Sequence, residues 1–182
     1  MTQLKIAVVV GSIRKDSFNK KLALALAKLA PPDMLFETVR IDDLPHYNQD
    51  DDAQPSAEVT RLKAHITASQ GLLFVTPEYN RSVPGVLKNA IDHASRPYGK
   101  SVFNGKPAAV LGMTVSPIGT AAAQQHLRNI LAYLNIPTLG QPEVFLTHKE
   151  GFFNDDGSFN EATGKFLQGW MDEYVRWVKK HL

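Results

Sequence analysis

The chain has 182 residues, enough for one domain with a full core, and its 43% hydrophobic and 21% charged residues are those of an ordinary globular protein. Its 20 basic and 18 acidic side chains leave a net charge of +2, which offers neither a nucleic-acid platform nor a basic membrane-surface helix. Cysteine is absent, so disulfides, thiol nucleophiles and cysteine-held metals or iron–sulfur clusters are excluded.

The opening M-T-Q-L-K-I lacks the architecture of a signal peptide, and no apolar run approaches a membrane-spanning length, so the expected location is the cytoplasm. Residues 4–10 form a near-continuous apolar run, the pattern of a buried parallel strand. A polar loop follows Gly11, then a helix over 17–29 that Pro31 and Pro32 terminate. Residues 34–41 read as a half-buried strand, and 42–55 as a loop with Pro45 and the acidic run Asp50, Asp51, Asp52. A helix over 57–69 and a short apolar strand over 71–76 come next. Residues 84–95 are helical, with Pro84 suited to the first turn, and 96–107 form a polar loop. A strand over 108–114, a helix over 120–134 and an interrupted strand region at 136–139 and 144–146 follow. A turn-rich loop at 151–157 leads to a last helix over 160–181, with Phe166, Trp170, Tyr174 and Trp177 near helical spacing for the core.

Strands that alternate with helices define an α/β fold: a doubly wound, five-stranded parallel sheet with helices on both faces, in one domain spanning residues 1–182. Ligands of such sheets bind at the C-terminal strand ends, where strand order reverses.

Two stretches carry chemistry. The first is G-S-I-R-K-D-S-F-N, where Ser12, Arg14, Ser17, Phe18 and Asn19 gather before a helix. Unpaired N–H groups and the helix dipole favour an anion there. Only Gly11 of a dinucleotide pattern is present, and the second glycine and lysine of a triphosphate loop are missing. Hydroxyls, one amide and one planar guanidinium suit a terminal monophosphate. The plain alternative is a Ser17 cap beside a solvated Arg14. The second stretch, T-P-E-Y-N-R-S-V-P-G-V-L-K-N-A-I-D, ends the third strand, and its prolines stiffen Glu78, Tyr79 and Asn80. It reads either as one wall of a planar heterocycle, with Tyr79 as an aromatic face, or as a helix-entry turn.

Together with P-I-G-T-A-A-A-Q-Q-H-L-R-N-I-L, these motifs resemble the NAD(P)H-dependent FMN reductases, in the branch of chromate and quinone reductases. The resemblance implies a flavodoxin-like fold, non-covalent FMN, NADPH or NADH as electron donor, and a homodimer or homotetramer. It implies that Ser12, Arg14, Ser17 and Asn19 hold the FMN phosphate, with Phe18 beside them among the cofactor-binding residues. Pro77, Glu78, Tyr79 and Asn80 would line the ring through main-chain atoms, and the loop over 116–120, with Ser116 and Gly119, would close its other side. The chain departs from the pattern in Ser116, Pro117 and Thr120, where relatives often have glycine, and in Gln125, where they often have tyrosine. The implied activity passes electrons from the nicotinamide through FMN to quinones, flavins, azo compounds or chromate-like small molecules. A flavodoxin-type electron carrier and a non-enzymatic FMN-binding regulator are the alternatives. The cofactor carries the redox chemistry, so no catalytic side chain is named.

The 6 histidines show no metal-ligand spacing, and no G-x-S-x-G elbow is present. Val86, Leu87 and Ile91, with Leu127, Ile130 and Leu131, exceed what one buried stripe per helix needs and add weak support for an oligomer.

Overall fold

The computed structural model describes residues 3–182, in which five strands alternate with five α-helices. The strands are β1 (Leu4–Val10), β2 (Met34–Thr38), β3 (Gly71–Val75), β4 (Ala108–Thr114) and β5 (Phe145–Thr147). The helices are α1 (Phe18–Ala27), α2 (Ala57–Thr67), α3 (Gly85–Ser95), α4 (Ala121–Tyr133) and α5 (Glu161–Lys180). All ladders are parallel, in the order β2-β1-β3-β4-β5, so the fold class read from the alternation is the observed one.

Side chains of a strand alternate between faces, and here each face meets helices. Ile6, Val8 and Val10 of β1 and Leu73 and Val75 of β3 pack with α1 and α5. Ala7, Val9, Leu72 and Phe74 pack with α2, α3 and α4. That double burial explains why β1 from Ile6 onward and all of β3 lack polar residues. Helix ends follow local chemistry. Ser17, Ser56 and Asn160 cap α1, α2 and α5 by accepting first-turn N–H groups. Lys179 and Lys180 sit in the last turn of α5, where the helix dipole favours cations. Among the described residues, no helix is long and apolar enough to cross a membrane.

Several sequence boundaries move. The strand expected over 34–41 stops at Thr38; Val39 N makes a last bond to Val8 O at 2.9 Å, and Val39 and Ile41 bury themselves as loop residues. Pro84 precedes α3 in extended conformation, and its carbonyl accepts from Leu87 and Lys88. The acidic loop contains a 3-10 turn over Gln49–Asp51, capped by Asn48. The interrupted last strand is real in form: Thr138 makes a lone bridge to Ala108, and β5 resumes along β4 at Gly112.

On α5, Trp170 and Tyr174 are core residues, but Phe166 is 57% exposed and Trp177 only half-buried. A helix turns 100° per residue, so the buried stripe runs through Leu167, Trp170, Met171, Tyr174 and Val178 instead. Val86 and Ile130 are half-buried at the margins of single stripes on α3 and α4, so they do not speak for an interface.

Tyr174 fastens α5 to the sheet. Its ring stacks on Trp170, and its hydroxyl donates to Leu72 O at 2.8 Å inside the core. Burial pushes the phenol pKa well above its usual range. Tyr174→Phe keeps the ring but removes the donor, and is expected to cost about 1–2 kcal/mol. Urea unfolding should show a lower midpoint with an unchanged slope.

Candidate functional site

The switch point of this strand order lies between β1 and β3 at their C-terminal ends. A cleft of about 180 Å³ opens there, lined by the loop before α1, the turn after β3 and the end of β4. Larger hollows of about 660 and 530 Å³ lie beside α1 and between α3 and α4, but the smaller cleft is the one that brings the two motifs at residues 12–19 and 77–79 together.

The loop side of the cleft carries Ser12, Arg14, Ser17, Phe18 and Asn19. Ser17 Oγ accepts from Lys20 N at 3.3 Å and so caps α1. The main-chain N–H groups of Ser12, Phe18 and Asn19 find no acceptor among the described residues. Arg14 is exposed and has no acidic partner among them; its guanidinium lies 5.6 Å from the centre of the Phe18 ring. His148 stacks on Phe18 at 3.9 Å. Burial, then the charge of Lys21, holds that imidazole below its usual pKa, favouring the neutral ring.

Asn19 faces the cleft, yet its amide is committed elsewhere. Its Nδ2 donates to Met113 O at 2.8 Å, and its Oδ1 accepts from Met113 N at 2.9 Å. The side chain thus pairs with the end of β4 as a strand residue would, and its role in the cleft is to hold two walls together.

The opposite side carries Pro77, Glu78 and Tyr79. Tyr79 and Ser82 exchange main-chain bonds of 3.1 and 3.0 Å across a two-residue turn. Its central residues, Asn80 and Arg81, have φ of 51° and 61°. That turn requires left-handed backbone, which asparagine tolerates well. Asn80 therefore shapes the turn and lies outside the cleft lining. The Tyr79 ring is 52% exposed at the rim.

The third wall differs from expectation. Met113, Thr114 and Val115 line the cleft, whereas Ser116 and Gly119 do not. Ser116 O accepts from Gly119 N at 3.0 Å and from Thr147 Oγ1 at 3.1 Å, which turns this loop toward β5. Gly119 has φ of 63°, and a Cβ there would lie 2.8 Å from the Phe145 Cβ. Its glycine serves a turn and a close approach. The signal for residues 113–115 was available in the fold: β4 neighbours β3, so its C-terminal end borders the same switch point.

Known proteins resemble this chain along most of its length. The profile of the family described as NADPH-dependent FMN reductase matches residues 4–151. A 2-hydroxy-1,4-benzoquinone reductase of Burkholderia sp. is 54% identical over 97% of both chains. A quinone reductase of Pseudomonas putida is 47% identical over 96% of this chain and 94% of its own. The solved structure of FerB, a flavoenzyme NAD(P)H:(acceptor) oxidoreductase of Paracoccus denitrificans, superposes with a TM-score of 0.94 at 47% identity over 98% of both chains. A cleft rich in free donors at the β1/β3 switch point, on a chain with these relatives, places the protein in the NADPH-dependent FMN reductase family. It is an oxidoreductase that uses NAD(P)H and FMN, which sets aside the electron carrier and the non-enzymatic regulator.

Gly112 sets how closely β4 approaches the turn after β3. A Cβ there would lie 1.9 Å from Thr76 O and 2.6 Å from Thr120 Oγ1. Gly112→Ala must push Thr76, and Pro77 after it, away from β4. It is expected to cost about 1–3 kcal/mol, read as a lower urea midpoint.

Proposed function

We propose that this chain is an FMN-dependent quinone reductase whose FMN phosphate lies on the loop before α1 and whose flavin ring lies between residues 77–79 and 113–115. The single observation that carries this reading is the set of unpaired donors at the switch point: the N–H groups of Ser12, Phe18 and Asn19 and the guanidinium of Arg14. These groups fit the cofactor the family implies. A phosphate accepts several N–H bonds at a helix N-terminus, and Arg14 can offer it a bidentate fork. Ser12 and Ser17 add hydroxyls to the same wall. Pro77 stiffens the turn beside the ring, and Tyr79 supplies an aromatic rim.

FMN, when bound, accepts a hydride from NAD(P)H and passes the electrons to a second substrate. The protein's part is to orient the ring, leave one side open to both substrates and keep the phosphate fixed. No acid or base of the chain is assigned to the hydride step. Quinones are the acceptors we favour, because relatives at 54% and 47% identity are quinone reductases.

We further propose a single domain over the whole chain, a cytoplasmic location, and a homodimer or homotetramer. Val115, 69% exposed, and Tyr79 leave apolar surface at the rim of a shallow cleft that a second copy can cover.

The test is direct. Purified protein should release FMN on heating, lose its yellow colour with NADPH, and regain it with a benzoquinone. FAD as the released cofactor, or no bleaching, would overturn the assignment. Arg14→Ala should weaken FMN retention by about 1.5–3 kcal/mol, measured by flavin fluorescence. An unchanged affinity would remove Arg14 from the phosphate site. Light scattering should give two or four times the 20.1 kDa of one chain; a monomer would refute the assembly.

A further inference from the structure

Glu78 lines the cleft, but its side chain turns away from it. The carboxylate is only 5% exposed, while the residue as a whole is half-buried, so what the cleft sees of Glu78 is main chain. Its Oε2 accepts from Ala123 N at 3.1 Å, and its Oε1 accepts from Arg81 Nη1 at 3.0 Å.

Ala123 lies in the first turn of α4, where N–H groups have no acceptor within the helix. The residue preceding α4, Thr120, makes no side-chain cap. Its hydroxyl instead accepts from the buried Gln124 Nε2 at 2.8 Å. Glu78, 45 residues away in sequence, takes over the capping position. A carboxylate there gains a hydrogen bond and the favourable end of the helix dipole. The arrangement has a geometric consequence. The turn that holds Pro77 and Tyr79 is pinned to the helix that begins where the loop from β4 ends. The carboxylate therefore ties one wall of the cleft to the helix reached by the loop that leaves the facing wall, residues 113–115, and so bears on the spacing between them. A second tie, Ser82 Oγ to His126 Nδ1 at 3.0 Å, also joins the turn to α4, so changing Glu78 removes one of two side-chain ties and loosens the turn without detaching it.

We propose that Glu78 is a positioning residue: by capping α4 from the ring-side turn, its carboxylate sets the width of the flavin slot and thereby the affinity and reduction potential of the bound flavin. This rests on the placement of FMN in the cleft. The oxidised and reduced rings differ in shape and charge, so a slot of altered width does not hold both equally. A tenfold change in their affinity ratio moves a two-electron midpoint by about 30 mV.

The experiment compares Glu78→Ala, Glu78→Gln and Arg81→Asn with the parent, by FMN titration, by midpoint potential against a reference dye, and by urea unfolding of the apoprotein. Glu78→Ala is expected to raise the FMN dissociation constant about tenfold, as the loss of one cap and the slot it fixes implies, and to shift the potential. Glu78→Gln keeps an oxygen for Ala123 N and should stay within about twofold of the parent. Arg81→Asn keeps the left-handed backbone and the cap, and should match the parent in potential. The proposal is overturned if Glu78→Ala loses stability but keeps parental FMN affinity and potential, since Glu78 would then only support α4. It is also overturned if Arg81→Asn shifts the potential as far as Glu78→Ala. Should Glu78→Ala not fold, Glu78→Asp, one methylene too short to keep both contacts, must show the same shift or the proposal fails. A parent that binds no FMN would refute the placement of the cofactor itself, an outcome distinct from a parental potential in the variants.

Discussion

The amide of Asn19 is the joint on which the site depends. It is 3% exposed and makes both of its bonds, at 2.8 and 2.9 Å, to the main chain of Met113. Asn19 belongs to the start of α1, which follows β1, whereas Met113 lies near the end of β4, with β3 between the two strands. The side chain thus reaches across the end of β3 and completes the hydrogen bonding of β4 where the sheet stops. A buried amide that lost either bond would carry an unsatisfied polar group, so the pairing is close to all-or-none. It places the N-terminal turn of α1 at a fixed height above residues 113–115. A ligand that touches both therefore meets a preformed distance, and binding costs less ordering.

Much of this was legible from the residues. Apolar runs of strand length alternating with amphipathic helices dictate a parallel sheet with both faces covered, and the structure has it. The convergence of Ser12, Arg14, Ser17, Phe18 and Asn19 with residues 77–79 followed from two motifs at neighbouring strand ends. What escaped the sequence shares one feature: it depends on partners far apart in the chain. Asn19 and Met113 are 94 residues apart, and Glu78 and Ala123 are 45. No local pattern signals a cap supplied by another element. Phe166 was misplaced for a different, local reason: a spacing of four residues drifts off the buried stripe by about 40° per step on a helix of 3.6 residues per turn. The lean of the Ser116–Gly119 loop toward β5, where Thr147 holds it, also carries no local signal.

Several polar side chains at the cleft are committed to structural bonds rather than to the cleft itself. Where N–H groups are the donors, side chains are free for structural work: Ser17 caps α1, Asn19 clasps β4 and Glu78 caps α4. Gly112 completes the set by allowing the carbonyl of Thr76 to approach where any Cβ would intrude. The walls are consequently stiff, and stiffness suits a planar ring with a terminal anion.

Charge imposes the last constraint. A carboxylate beside the cleft would repel the phosphate proposed to bind there, at a cost that grows as the surroundings exclude water. Glu78 is such a carboxylate by sequence, one residue from Pro77 and one from Tyr79. The structure removes the conflict: Arg81 takes one oxygen and the N-terminus of α4 the other, so the negative charge is compensated away from the cleft. Arg14, by contrast, makes no ion pair among the described residues and keeps its full field at the mouth. The turn thus gains a carboxylate tie without setting a net negative charge against the anion proposed to bind at Arg14 and the α1 N-terminus.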